Sequence, residues 1–461
     1  MPATIVDSVV YGGLWASRAV AAIFEERRRT AGWLEVLAVL AESCAEFELI
    51  PRRAGPEIAA TCRGIAVDAG FLEELRAGRE ATGHSTAGLL GAVARRCPGT
   101  SGEWVHFGAT VQDVTDTWLM LALREARAPI GEALAVAAGA LAGHAARHRA
   151  TPMLGRTHGQ HGLPITFGLK AAGWAAELQR HRDRLAEVAA RMDLGQLAGG
   201  VGSLSSFGPR AFAIQAAFCE RLGLRAPVLP WTASRDVVAE WGGLLSLATG
   251  TADRIGHEVY NLARSEIGEL GEAAPAGVIG SITMPHKRNP EAAEHIGSLA
   301  RIVRHQAACL GEGMVHDHER DGRSWKVEWH VVPEITMLAA RALELVAELA
   351  RGLVVHADRM LHNLEATRGF VLSEAVMLAL APHVGRQTAH RLVTAAADAA
   401  RQAGSSLEDA VRSSGEIMAQ LSRGEVAAAF DLGRHAGQCA ALVDRFLDGF
   451  PDRFPQPDRR P

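Results

Sequence analysis

Lysine is nearly missing from this chain: Lys170, Lys287 and Lys326 are the only ones among 48 basic side chains, which face 52 acidic ones. A formal charge of -4 offers no general attraction to nucleic acid or to an anionic membrane. Aromatic residues are 5% of the sequence and tyrosine occurs only at Tyr11 and Tyr260, too few for a surface that stacks single-stranded bases. The six cysteines (Cys44, Cys62, Cys97, Cys219, Cys309 and Cys439) stand far apart with no C-x-x-C pair. That spacing argues against a disulfide framework or a zinc cluster, and reads as buried thiols in a reducing cytosol. No 18-residue stretch is uninterruptedly apolar; the best, residues 133–143, stops at His144. The opening MPATIVDSVVYGG has no cationic segment feeding an apolar one, so a cytoplasmic protein without a membrane span is expected.

What the sequence does have is length, 461 residues with 48% hydrophobic, and helical periodicity. After Asp236 the apolar residues Trp241, Leu244, Ala248, Ile255, Val259, Leu262 and Leu270 keep to steps of three or four or their sums. This predicts a helix of over 30 residues, approaching about 50 Å at about 1.5 Å per residue. Ile296, Leu299, Val303, Ala307 and Leu310 form a second such run, and Ile335, Leu338, Ala342, Leu345 and Leu349 a third. Helices this long cannot bury their stripes in one small domain, and suggest a bundle continuing across subunits. Sustained alternation of β-branched residues is missing, so the fold is expected to be all-α. The pattern breaks at CPGTSGEW and after the third long run. These breaks divide the chain into a helical domain 1–104, a central bundle 105–353, a helical domain 354–445 and a Pro- and Arg-rich tail 446–461, expected to be disordered.

One segment is costly sequence for a connector: GELGEAAPAGVIGSITMPHKRNPEAAEHI, which starts at Gly268. It is either a loop carrying a solvated basic cluster or an anion site. In the second case Lys287 and Asn289 bind a carboxylate, and the N-terminus of the helix starting near Pro290 adds its positive dipole end.

Within it, GSITMPHKRNP (280–290) resembles the signature loop of the aspartase/fumarase superfamily, and HFGATVQDVTDT (106–117) and GRTHGQHGLPITFGLK (155–170) resemble the two other regions that build that family's active site. The resemblance covers most of the chain. It implies an all-α, three-domain fold whose central bundle forms the core of a homotetramer, each site drawing its three regions from three subunits, with no metal or organic cofactor. It also implies roles. Ser281 would be the base, as an oxyanion stabilised by loop amides; otherwise it is a loop-capping serine. Lys287 and Asn289 would hold substrate carboxylates, Thr110 and Thr157 would donate hydroxyls, and Gln112 would line the same pocket. His158 would protonate the leaving group, with Glu294 pairing to it to fix its tautomer. His84 and Arg320 match further substrate-binding positions, against a surface role for the first and a structural ion pair for the second. Such chemistry needs base and cation together, because a proton removed beside a carboxylate leaves a doubly charged aci-carboxylate.

Departures from the pattern point to the substrate. Adenylosuccinate lyases carry an Arg-Tyr pair near the N-terminus and an arginine nine residues after that of E-R-D; here the start reads VVYGGLW and the later position is Trp329. An indole cannot balance a phosphate dianion, which disfavours adenylosuccinate. SWKVEW, FGLKAAGW, LPWTASRD and SEAVMLALAPHVGRQTAH look like bacterial carboxymuconate cycloisomerases, which normally have serines where Val111 and Ile282 stand and often lack the histidine at the His158 position. The expectation is a lyase that cleaves a carbon–nitrogen bond of a small substituted succinate, such as nitrosuccinate or an N-substituted aspartate, and releases fumarate. The alternatives are a cycloisomerase, an adenylosuccinate lyase or an inactive helical scaffold.

Overall fold

The computed structural model describes residues 4–450 apart from 275, 276, 278 and 279, so most of the expected tail lies outside the described residues. Helices dominate. An N-terminal set, α1 (Glu26–Glu46), α2 (Ala54–Gly64), α3 (Ala69–Thr82) and α4 (Ala87–Arg96), is followed by long α5 (Val111–Arg147), α6 (Phe167–Met192), α7 (Asp236–Leu262), α8 (Glu291–Glu312) and α9 (Gly322–Arg351). Near the C-terminus come α10 (Ser373–Val384) and α11 (Arg386–Ala403), and the final helix, Cys439–Asp448, runs past the tail boundary drawn at 446.

Three details differ from expectation. The run after Asp236 ends as a helix at Leu262, and Leu270 is instead buried in a two-residue strand, β3 (Leu270–Gly271), paired antiparallel with β4 (Val354–Val355); β1 and β2 belong to the hairpin described below. The longest helix, α5 with 37 residues, is none of the three periodic runs. It is buried on most sides for much of its length, so its apolar residues form no single stripe to read. Finally, Cys309 is exposed and Cys97 partly so, while Cys44, Cys62, Cys219 and Cys439 are buried; all six are free. Burial pushes the thiols of Cys44, Cys62 and Cys219 up to about 12, which keeps them protonated and inert.

Two compact units emerge, and the five long helices contribute residues to both. The first comprises Met1–Ala133, His181–Gly250 and Ser298–Glu344. Its core joins Leu34, Leu37, Ala38, Ala41 and Cys44, spaced along one side of α1, to Ile58, Ala59 and Cys62 of α2 and to Ile214, Phe218 and Cys219. Beside that core lies a buried ionic group. The Arg235 guanidinium, 0% exposed, donates to Asp116 of α5 at 2.7 Å and to both oxygens of Glu328 of α9. Trp325 Nε1 donates to the other Asp116 oxygen at 3.1 Å. Burial works against charge on Arg235, but the two carboxylates outweigh it and hold the guanidinium protonated. Glu328 is raised by its burial, with Arg235 pulling it back.

The second unit comprises Leu134–Arg180, Thr251–Gly297 and Leu345–Pro461. In it α10 packs on α11 around Val376, Leu380, Leu392 and Val393, joined by Leu407 and Val411. The unit also holds an antiparallel hairpin absent from the expectation, β1 (Pro152–Thr157) and β2 (Gln160–Thr166). Gly155, Gly162 and Pro164 interrupt the β-branched alternation by which such strands are recognised. Among the described residues no helix is long and apolar enough to cross a membrane.

Arg235→Leu should leave Asp116 and Glu328 buried without their cation, lowering stability by roughly 3–5 kcal/mol. The check is urea unfolding followed by circular dichroism; an unchanged midpoint would show that the ionic group does not hold α5 and α9.

Candidate active site

Each unit carries part of the expected site. In the second, the GRTH motif forms the hairpin turn. Thr157 pairs with Gln160, and the two residues between them, His158 (φ 53) and Gly159 (φ 73), both have positive φ, the sign pattern of a tight type I′ connection. Glycine adopts this conformation freely; His158 is held in it, exposed at the tip. The hairpin is tethered by Arg156, whose guanidinium makes a two-pronged bond of 2.6 and 2.9 Å to fully buried Glu269. Asn363 Nδ2 donates to the same carboxylate at 2.9 Å.

The signature loop belongs to the same unit. Ser281 Oγ accepts the Met284 N–H at 3.1 Å, and the Lys287 N–H donates to the Met284 carbonyl at 3.0 Å. This is the geometry of a loop-capping serine, and the same amide is placed to stabilise a Ser281 oxyanion. Gly280 is required by close approach: a Cβ there would lie 2.6 Å from the Lys287 carbonyl oxygen. The Lys287 ammonium is exposed and has no acceptor among the described residues, while Asn289 Nδ2 donates to Glu291 at 3.1 Å. Glu294 sits exposed on the first turn of α8.

One expectation needs correcting. The N-terminus of α8 was expected to add its dipole to substrate binding. Instead its Ala292 and Ala293 N–H groups donate at 3.1 and 2.9 Å to the carboxylate of Glu272, at the other end of the loop. The anion at this helix start is the protein's own, and it closes the loop at its base. Burial raises the Glu272 carboxyl above its ordinary range, and the two amides oppose that rise.

The first unit holds Thr110, Gln112, His84 and Arg320. Arg320 Nη1 donates to Thr110 Oγ1 at 2.6 Å and makes no ion pair with an acid among the described residues. Thr110 precedes α5, and its N–H donates to Asp113 at 2.9 Å. Asp113 also accepts the N–H groups of Ala198 and Gly199, at 2.9 and 3.0 Å, and burial pushes its carboxyl up to about 7 against these three donors. Gln112 is fully buried, donating through Nε2 to Asp116 and to the Thr232 carbonyl. The expected substrate contact of Gln112 is therefore replaced by a structural tie. His84 is exposed in the loop between α3 and α4, its Nδ1 accepting the Thr86 N–H at 3.3 Å.

The sequence reading missed His106, the first residue of HFGAT. Burial lowers its pKa, a hydrogen bond to the Thr110 backbone opposes this, and nearby His84 lowers it further. The unit thus gathers a neutral-leaning imidazole, a second histidine, and the Thr110–Arg320 pair. No spacing rule exposes His106; only its place in the motif could have flagged it. Among the described residues no group of three His, Cys, Asp or Glu suited to a metal ion occurs.

The second unit thus displays a serine–lysine loop and a histidine-tipped hairpin, and the first a threonine–arginine pair. The family model described as "Lyase" matches residues 16–304, and that described as "Adenylosuccinate lyase C-terminus" matches 369–446. An N-acetyl-S-(2-succino)cysteine lyase from Enterococcus italicus is 36% identical over 97% of this chain and 97% of its own. A nitrosuccinate lyase from Streptomyces davaonensis is 36% identical over 98% and 96%. The crystal structure of 3-carboxy-cis,cis-muconate lactonizing enzyme from Pseudomonas putida is 33% identical, covers 96% of this chain and 98% of that one, and superposes with a TM-score of 0.87. The chain belongs to the lyase family of the aspartase/fumarase superfamily, and it is an enzyme.

Removing the Glu272 carboxylate should open the signature loop. Glu272→Ala is expected to speed tryptic cleavage after Lys287 or Arg288 by about tenfold, the equivalent of about one hydrogen bond to a charged group, with Glu272→Gln intermediate. Equal cleavage rates in all three proteins would show that the loop is held by something else.

Proposed function

We propose that this lyase cleaves a carbon–nitrogen bond of a small substituted succinate and releases fumarate, with nitrosuccinate or an N-substituted aspartate as substrate. The observation that carries the reading is the signature loop: a Lys287 ammonium with no acceptor among the described residues and the Asn289 amide on the same short segment as Ser281, whose oxygen already meets a backbone N–H. Two relatives named for a succinyl group bearing a heteroatom, nitrogen in one and sulfur in the other, support a succinate skeleton.

In this reading Lys287 and Asn289 hold a substrate carboxylate, joined by the hydroxyls of Thr110 and Thr157 and by Arg320. Ser281 Oγ, as the alkoxide, takes the proton from the carbon beside that carboxylate. The C–H electron pair moves into the carboxylate, giving the aci-carboxylate dianion that Lys287 stabilises. Its return forms the carbon–carbon double bond and expels the leaving group with the C–N pair. His158, oriented by Glu294, supplies the proton that an amine needs on departure; nitrite needs none. No metal or organic cofactor is called for, since serine, lysine and histidine supply base, clamp and acid. The working form is a cytoplasmic homotetramer with sites shared by three subunits.

Trp329, 42% exposed, stands where a nucleotide phosphate would need an arginine, so adenylosuccinate is disfavoured. The second reading, ring closure of a carboxymuconate, draws support from the likeness to the lactonizing enzyme. Against it, Val111 and Ile282 remove hydroxyls that a tricarboxylate would use, each such bond to a charged group contributing about 1.5–3 kcal/mol.

A panel of substituted succinates followed by fumarate absorbance tests the reading; lactone formation without fumarate would favour the cycloisomerase instead. Ser281→Ala should abolish turnover with an unchanged circular dichroism spectrum, and activity within tenfold of wild type would remove Ser281 as base. Mixing inactive Ser281→Ala and His158→Ala chains should restore part of the activity. No recovery after confirmed subunit exchange would refute sharing of sites.

A further inference from the structure

Against the buried ionic group, and including Trp329, the first unit holds a cavity of about 350 Å³. Its walls come from α1, α3, α5 and α9, and four of the nine tryptophans in the chain line it: Trp33, Trp118, Trp325 and Trp329. Trp33 and Trp118 meet edge to face at 6.2 Å, and Trp325 and Trp329 do so at 4.8 Å. So much indole surface around an open space is a binding surface for a flat apolar body.

The polar part of the lining is mostly committed. Trp325 Nε1 donates to Asp116, Glu328 is held by Arg235, and Arg76 pairs with Glu73 and Glu80. Two donors are not. Among the described residues Trp33 Nε1 and Arg29 Nε are both shielded and have no acceptor, on residues one helical turn apart that line the cavity. The Arg29 side chain is 36% exposed and only loosely paired with Glu26, at 3.6 Å, so it can turn. Arg79, on the same wall, reaches its nearest acid, Glu80, only at 3.7 Å, and Glu80 is already bonded to Arg76. Unsatisfied donors beside under-compensated guanidinium groups favour an anion.

We propose that this cavity binds a flat, apolar carboxylate, its ring against the tryptophans and its carboxylate on Trp33 Nε1 and Arg29. Ser85 and Thr86, from the loop that carries His84, also line the space, which places it beside one element of the candidate site. The ligand is therefore either the departing part of a bulkier substrate or a separate small acid, and the same chemistry serves both. Binding itself does not rest on the proposed reaction.

The probe is 2-naphthoate, titrated into the intact wild-type protein and followed by tryptophan fluorescence and calorimetry. Saturable binding of one equivalent per chain is expected, with neutral 2-naphthamide at least tenfold weaker. Trp33→Phe, which keeps an aromatic ring but removes the donor, and Arg29→Gln should each weaken naphthoate at least fivefold while the circular dichroism spectrum stays the same. No saturation by ~1 mM overturns the proposal, as does naphthoate affinity unchanged in both variants. If a succinate is turned over, a raised KM at constant kcat in the presence of naphthoate supports the leaving-group source, and a lowered kcat at constant KM supports a separate acid. If none is turned over, the titrations still decide the site.

Discussion

Everything in the first unit turns on keeping Arg235 neutralised. A guanidinium with no exposed surface is tolerable only if its charge and its donors are met, and Asp116 and Glu328 meet them from two different long helices. That requirement fixes the rotation of α5 and α9 about their own axes at this level, since only one face of each presents the acid. Trp325 and Gln112 then bond to Asp116, and Gln112 reaches on to the Thr232 carbonyl. Thr110 lies less than two turns before Asp116 and inherits its position from it.

The second unit repeats the device with a carboxylate at the centre. Glu269, fully buried, receives Arg156 and Asn363 and fixes the base of the hairpin that carries Thr157 and His158. Three residues later Glu272 receives two amides of α8 and fixes the base of the loop that carries Ser281, Lys287 and Asn289. Asp113 does the same for the approach to Thr110, with three backbone donors. In each case the anchor is sheltered and the group suited to chemistry is displayed beyond it. A side chain that must meet a substrate cannot also be buried to hold the backbone, so the two duties fall on different residues.

This separation suits a family whose named relatives include a nitrosuccinate lyase, an N-acetyl-S-(2-succino)cysteine lyase and a carboxymuconate lactonizing enzyme. With the anchors apart from the displayed groups, a few contacts can alter selectivity without moving the backbone.

By itself the sequence determined the helical class, because apolar residues recurring every three or four positions admit no other regular structure. It also marked GSITMPHKRNP, HFGAT and GRTH as candidate segments for chemistry, since each is contiguous and can be read locally. It could not show the hairpin, where glycines and Pro164 erase the alternation, nor the full run of α5, which is buried on too many sides to leave a stripe. Nor could it separate Gln112, which is buried and structural, from its neighbour Thr110. Glu269 and Arg235 acquire their roles only through partners far along the chain: 113 residues separate Arg156 from Glu269, and 93 separate Arg235 from Glu328. A buried charge is recognisable only when its surroundings are known. Burial and long-range pairing are properties of the folded chain, and for these residues the tertiary structure alone decided.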